Sequence, residues 1–378
     1  MHLEEKKVEY IELIYDLVFV YFIGRNNEIL HHIDGGFFTV PTYLNYILGI
    51  LVILQVWYFS TLYINRYGDN SYHNTLGLFI NMYLIYYMAN GTRVDWANYY
   101  TRYNIAWALI LINLAVQYFF QFKKAKKEKP WEIVFLKRHI LMLCIQAAII
   151  LASIPFYNMI HFPLSWISIV AGFVFVLLTR NVDAVLPVNF EHLTERVMLF
   201  VVFTFGEMII SIAVYFEGAF NFSTFYFSLM GLLIVAGLFL SYGFFYNHIA
   251  DRQMITTGSA YMLVHVLLLV ALCNITTALV YMTEPEIATI PKNILLVASF
   301  IGYFIFLLLL HIFAKECEHL SRKTWLLVCL SAFVFIVIMG LFYNNSYISI
   351  AASVLFIYAM YLFVYLNHRK VCATSNEA

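Results

Sequence analysis

The residues of this sequence best suited to chemistry are acidic side chains that interrupt apolar segments. Glu12 and Asp16 lie four residues apart, and the run continues as Leu-Val-Phe-Val. On a helix this spacing places both carboxylates on one face, where two like charges repel. Either a cation lies between them or one of them is protonated at neutral pH.

A second pair of charges, Arg196 and Glu207, lies eleven residues apart in another apolar segment. Eleven steps of about 100° return to nearly the same face of a helix, with a rise of about 16 Å. Gly206 precedes the acid, and a small residue there predicts the close approach of a neighbouring helix. Ionisable groups within a membrane usually mark function, so Glu207 is predicted to be a functional group at the floor of a polar cavity.

His192 has two interpretations, which the sequence leaves open. It can transfer protons near neutral pH. Alternatively it belongs to a capping turn, with Thr194 as the N-cap and Glu195 in the first helical turn. The candidate residues for binding a substrate or proton are Glu12, Asp16, His192, Glu195, Arg196 and Glu207, with a second tier of Asn65, Asp69, Asp183, Asn247 and Asp251.

The elements that must position these residues are long apolar segments. Hydrophobic residues make up 63% of the 378 residues and charged residues 12%, about half of the charged share of a soluble domain. A run of roughly 20 apolar residues crosses a bilayer as a helix. The prediction is an all-α polytopic integral membrane protein with about 12 transmembrane helices, near 10–30, 40–65, 72–91, 100–122, 134–157, 163–182, 194–216, 222–246, 258–282, 292–314, 324–343 and 346–366.

The distribution of Lys and Arg predicts the orientation. With both termini on one side, 18 of the 22 basic residues fall on that side and 4 on the other. Cytoplasmic loops carry the excess of Lys and Arg, so we expect a multi-pass protein of the cell membrane with both termini in the cytoplasm.

A faint internal repeat appears at an offset of 182 residues. Gly24, Asn65 and Asp69 recur at that offset as Gly206, Asn247 and Asp251. No linker is long enough for a second domain, so we expect a single transmembrane domain, 1–378. Within it, 1–183 and 184–366 are predicted to be parallel six-helix halves, and chance similarity between apolar helices is the alternative explanation.

Several partners are excluded or restricted by composition. The net charge of zero gives no support for nucleic-acid binding. The five cysteines lack metal-ligand spacing, so neither a metal nor another cofactor is predicted. The expected partners are the lipid bilayer and an unknown small solute or proton, and a homo-oligomer is a further expectation. The first helix is expected to be a retained signal anchor.

Two segments resemble motifs of the low temperature requirement protein A family. Residues 8–20, Val-Glu-Tyr-Ile-Glu-Leu-Ile-Tyr-Asp-Leu-Val-Phe-Val, are similar to its opening motif. Residues 192–200, His-Leu-Thr-Glu-Arg-Val-Met-Leu-Phe, followed by Gly206-Glu207, resemble its second motif. The resemblance implies a polytopic membrane architecture and selects Glu12, Asp16, His192, Glu195, Arg196 and Glu207. Val197-Met198 departs from the His-Gly pair frequent in relatives, and the resemblance implies no defined molecular activity.

Three classes of function fit these observations. A secondary transporter or permease that uses buried carboxylates, with proton coupling as one form, ranks first. A membrane-embedded enzyme or lipid-handling protein acting at the cytoplasmic face is the second class. A structural or sensory protein, in which the charges hold helices together, is the third.

Overall fold

Long apolar segments form helices in this protein, because a helix satisfies its own backbone hydrogen bonds within a membrane. The computed structural model describes residues 6–31, 33, 35–69, 71–90, 96–125, 129–160, 163–183, 186–216, 219 and 221–376. These ranges contain twelve α-helices: α1 (Tyr10–Asn27), α2 (Val40–Tyr67), α3 (Tyr72–Asn90), α4 (Trp96–Lys124), α5 (Pro130–Ile160), α6 (Trp166–Asp183), α7 (Phe190–Ser211), α8 (Phe222–Phe244), α9 (Ser259–Thr283), α10 (Thr289–Leu309), α11 (Arg322–Leu341) and α12 (Ser346–Asn376).

Nine of the helices in the described ranges are long and apolar enough to cross a membrane. The other three are α1, α3 and α6. Helix α1 carries Glu12, Asp16 and Arg25 within its 18 residues, and the apolar stretch of α6, Trp166–Thr179, is shorter than the others. The expectation of an all-helical, multi-pass membrane protein is therefore confirmed, and the predicted segments correspond to the observed helices. Helix α12 continues well beyond its predicted end, to Asn376.

The chain divides into two compact units. The first comprises the described residues of Met1–His32, Val40–Phe200 and Gln253–Leu263. Within it, α2 is largely enclosed and packs against α1, α4 and α6. The buried part of α2 includes polar side chains, such as Gln55, whose Nε2 donates to the carbonyl of Ile169 at 2.9 Å. This unit holds the N-terminal half of α7.

The second unit comprises the described residues of Ile33–Thr39, Val201–Arg252 and Val264–Ala378. In it α8 packs against α12, α12 against α11, and α11 against α10. Helix α8 continues into one π-helical turn, Phe245–Ile249. An isolated β-bridge between Ala250 and Ala314 then ties this turn to the loop that precedes α11.

Candidate functional site

The start of α7 is fixed by Asn189, not by Thr194. The Asn189 Oδ1 accepts a hydrogen bond from the backbone N–H of His192 at 3.1 Å, the geometry of an N-cap. Thr194 lies within the helix, where its hydroxyl donates to the carbonyl of Glu191 at 2.9 Å. The predicted capping role of Thr194 is therefore wrong. The earlier start places His192 and Arg196 one turn apart on the same helical face.

Arg196 is the cation that lies between the two carboxylates of α1. Asp16 and Arg196 are fully buried, and Glu12 is 3% exposed. Arg196 donates through Nε to Asp16 Oδ2 at 3.1 Å and through Nη2 to Asp16 Oδ1 at 2.9 Å. Its Nη1 lies 3.1 Å from Glu12 Oε2. Helices α1 and α7 therefore meet at a buried cluster of charges.

Asp16 is held by more than the guanidinium. The indole Nε1 of Trp57, on α2, donates to Asp16 Oδ1 at 3.0 Å. The Trp57 ring stacks on Phe200 of α7 with centroids 4.3 Å apart. Two parallel N–H···O bonds with a third donor give a charge-assisted contact with a defined geometry. Asp16 and Arg196 therefore form a fixed pair.

Glu12 is held less completely. The approach of Arg196 Nη1 lacks hydrogen-bond geometry, so Glu12 Oε2 has no hydrogen-bond partner among the described residues. The other oxygen, Oε1, lies 3.4 Å from His192 Nε2. Glu12 also lines a cavity of about 70 Å³, together with Lys6, Glu9 and Asp69. A cavity of this size holds a few water molecules but no large solute.

The proton on His192 is placed by Asn65. The amide of Asn65 accepts from the backbone N–H of Asn189 at 2.9 Å and donates to the carbonyl of Asn189 at 2.8 Å. These two bonds fix which end of the amide is the donor. The Asn65 Nδ2 therefore donates to His192 Nδ1, 3.0 Å away. Because Nδ1 accepts, a neutral His192 carries its proton on Nε2, the nitrogen that faces Glu12.

Lys6 adds a second cation beside Glu12. Its ammonium donates to the carbonyls of Ile64 at 2.5 Å, Gly68 at 2.9 Å and Asn65 at 3.4 Å, at the C-terminal end of α2. Burial lowers the pKa of Lys6 below its ordinary value of 10.5, and the nearby Glu12 carboxylate opposes this effect. A cation at the carboxyl end of a helix also interacts favourably with the helix dipole.

A chain of buried and half-buried polar side chains begins at Tyr15, which directly precedes Asp16 on α1. The hydroxyl of Tyr15 donates to Ser60 Oγ at 3.0 Å and accepts from Asn81 Nδ2 at 3.2 Å. The Asn81 Oδ1 accepts in turn from Asn113 Nδ2 at 2.8 Å. Hydrogen-bonded side chains thus link α1, α2, α3 and α4 next to the charged pair.

The remaining candidate residues differ in burial. Glu195 is half-buried and is not part of the charged cluster. Asp69 is exposed and lines the cavity beside Glu12. In the second unit, Asn247 is exposed and Asp251 is half-buried. Asp183 ends α6, but its side chain lies outside the described residues.

Glu207 lies on α7, and its predicted functional role stays a prediction. It lies in the second unit, is half-buried, and does not line the cavity beside Glu12. A Cβ added at Gly206 would meet no described atom within 4 Å. Among the described residues no neighbouring helix approaches Gly206 closely, so the expected close helix approach at this position is wrong.

Two members of the cluster, Trp57 and Lys6, were not predicted. Trp57 lies within an apolar segment, where tryptophan is ordinarily a packing or interfacial residue. Lys6 precedes the first helix and has the character of an ordinary exposed charge. The available signal for Trp57 was its indole N–H, a hydrogen-bond donor in the middle of an apolar segment.

Comparison with known proteins agrees with the resemblance carried by the two motifs. A family model described as bacterial low temperature requirement A protein matches residues 7–363, nearly the whole chain. No curated protein matches the chain significantly.

Proposed function

This chain belongs to the bacterial low temperature requirement A family, and we propose that it is a secondary transporter in which Glu12 and His192 bind the coupling proton. The observation that carries this proposal is the unequal treatment of the two carboxylates. Asp16 accepts three hydrogen bonds, from Arg196 and Trp57. Glu12 retains an oxygen without a hydrogen-bond partner and borders a cavity.

Because the two carboxylates are held differently, we assign them different roles. The Asp16–Arg196 pair fixes the geometry, while Glu12 and His192 form the pair that changes charge. The His192 Nε2 faces Glu12 Oε1 at 3.4 Å, so a proton can be shared between an imidazole and a carboxylate. A glutamate that gains or loses a proton beside a fixed Arg196 changes the local net charge by one, which is the requirement for coupling.

We further propose twelve membrane spans, two parallel six-helix halves and cytoplasmic termini. The lengths of two helical segments support the repeat. Val40–Tyr67 and Phe222–Ile249 both contain 28 residues and begin 182 residues apart. The positive-inside rule supports the orientation.

A purely structural role is the competing interpretation, since a buried ion pair can hold helices together without transport. The experiment uses purified protein in liposomes that contain a pH-sensitive dye. Proton entry is followed when each of a panel of sugars, amino acids and organic anions is added outside, with the membrane voltage clamped. We expect at least one solute class to drive proton entry.

The matched variants are Glu12→Gln and Glu195→Gln. Glu12→Gln removes the titratable group, and we expect solute-driven proton entry to fall at least about tenfold. This value is a lower bound, because one acid–base group usually accelerates a reaction by about 10²–10⁴-fold. Glu195→Gln, one residue before Arg196 and outside the cluster, should retain it. Proton entry equal to that of empty liposomes for every solute, or full activity in a folded Glu12→Gln protein, contradicts the proposal.

A further inference from the structure

Three side chains that can bind metals meet at the end of α12, within the second unit. Glu318 lies in the loop before α11, and His368 and Cys372 lie one turn apart on α12. A ligand atom from each of the three lies within 4.8 Å of the other two. We propose that Glu318, His368 and Cys372 bind a divalent transition-metal ion.

The distances suit a shared ion. The Nδ1 of His368 lies 2.7 Å from Glu318 Oε1 and 4.0 Å from Cys372 Sγ, so one ring nitrogen faces both of the other donors. Zinc is bound at about 2.0–2.2 Å by nitrogen or oxygen and about 2.3 Å by sulfur. Ligand atoms around one zinc ion therefore lie about 3–4 Å apart, so modest side-chain rotations bring these three to a common ion.

The loop that carries Glu318 is clamped to the helix that carries the other two donors. The Oδ1 of Asn367 accepts from Ser321 N at 3.1 Å and from Thr324 Oγ1 at 2.9 Å. Its Nδ2 donates to the carbonyl of His319 at 3.1 Å. Asn367 directly precedes His368, so these bonds hold the loop and α12 in register. Such supporting contacts orient the ligands of a metal site.

Burial separates Glu318 from ordinary surface acids. This residue is 5% exposed, although its neighbours Cys317 and His319 are exposed. An acid is costly to bury without a charge partner. His368 supplies a hydrogen bond, and a metal ion would supply two positive charges at the same place.

The donor set favours zinc. Carboxylate, imidazole and thiolate together match the mixed ligands of Zn²⁺, whereas Mg²⁺ and Ca²⁺ prefer oxygen alone. The thiol of Cys372 must lose its proton when the ion binds, so binding weakens as pH falls. Three protein ligands leave a fourth position for water or for His248, whose ring centroid lies 5.5 Å from that of His368.

All three donors belong to the second unit, whereas the charged cluster belongs to the first. Two of its donors lie beyond residue 363, where the match to the family ends. The ion would cross-link the loop after α10 to the last turns of α12 and stabilise the C-terminal end of that helix.

The test uses full-length protein purified in detergent, treated with a chelator and titrated with Co²⁺ and then Zn²⁺. We expect one Co²⁺ per chain, a thiolate-to-cobalt charge-transfer band, and displacement of the cobalt by Zn²⁺. Cys372→Ser should abolish the band, and His368→Gln should weaken zinc binding at least about tenfold. Cys317→Ser is the matched control, because Cys317 lies in the same loop outside the three donors, and it should behave as wild type.

A second measurement needs no variant. Zn²⁺ should slow the alkylation of Cys372 relative to Cys317, as read by mass spectrometry of the wild-type protein. The proposal is overturned if wild-type protein gives no charge-transfer band, if a folded Cys372→Ser protein keeps it, or if Zn²⁺ leaves the alkylation rate of Cys372 unchanged.

Discussion

Glu12 and Asp16 have the same charge and lie on the same face of α1, yet their surroundings differ. Asp16 is fixed by Arg196 and by the indole N–H of Trp57. Removing one partner of a buried ion pair usually costs more than the pair itself contributes, because the remaining charge is left uncompensated. A change at Asp16 or Arg196 therefore tests folding, and a change at Glu12 is the more direct test of proton binding.

The hydrogen bond from Trp57 to Asp16 can be measured with a matched pair of variants. Trp57→Phe keeps an aromatic ring at this position but leaves Asp16 with one donor fewer. Trp107→Phe is the control, because Trp107 is equally buried and its indole Nε1 has no partner among the described residues. We expect Trp57→Phe to destabilise the protein by about 1.5–3 kcal/mol more than Trp107→Phe, the usual contribution of a hydrogen bond to a charged group. Thermal unfolding in detergent measures this difference. Equal losses would show that the bond contributes little.

At the scale of the helix, α2 organises the site. Its middle presents Trp57 to Asp16, its last turns present Asn65 to His192, and its terminal carbonyls bind Lys6. The turn after it is ordered by Asp69, whose carboxylate accepts from the backbone N–H of Ser71 at 3.2 Å and also from the side chains of Ser71 and Asn74. Asp69 thus orders the turn that leads into α3.

The role of Asp69 predicts a pH dependence. Burial raises the pKa of Asp69, but the hydrogen bonds from Ser71 and Asn74 outweigh it and hold the pKa below the ordinary value of 3.8. The unfolded chain then binds the proton more readily, so this stabilisation is present above pH 3.8 and is lost as the pH falls through the folded-state pKa.

We expect Asp69→Asn to lower the stability at pH 7 by roughly 0.5–1 kcal/mol, a small value because the carboxylate is exposed. The difference from wild type should shrink as the pH is lowered below about 4. Melting temperatures in detergent across this range provide the measurement. The exposed Glu316 supplies a control, Glu316→Gln. A loss of stability that does not change with pH would show that Asp69 does not act through its charge.

Prediction from the sequence succeeded for features that depend on one helix alone. Hydropathy located the helices, and the four-residue spacing placed Glu12 and Asp16 on one face. The repulsion between those charges also predicted either a cation between them or a protonated carboxyl. Trp57 and Lys6 could not be found in this way, because their contacts join positions more than 40 residues apart in sequence. The functional role of Glu207 stays a prediction, because depth along a helix does not determine which way a side chain faces.

At the scale of the whole molecule, the distribution of basic residues predicts the orientation. Of the 22 Lys and Arg residues, 18 fall on the predicted cytoplasmic side. A reporter fused after Ala378 should therefore be active in the cytoplasm. The same reporter inserted after Glu286, between α9 and α10, should lie outside. An external reading at Ala378 would reverse the orientation, and identical readings at both positions would contradict the span count between them.

The ion pair between Asp16 and Arg196 also has a consequence for biosynthesis. The two residues are 180 positions apart in the chain. A ribosome that adds about 5–20 residues per second produces Arg196 about 10–40 s after Asp16. Throughout that interval the nascent first helix carries two carboxylates without their guanidinium, and placing each in lipid costs ~2.5–3.5 kcal/mol. Helix α1 is thus expected to settle late, held at the translocon or the membrane surface until α7 emerges.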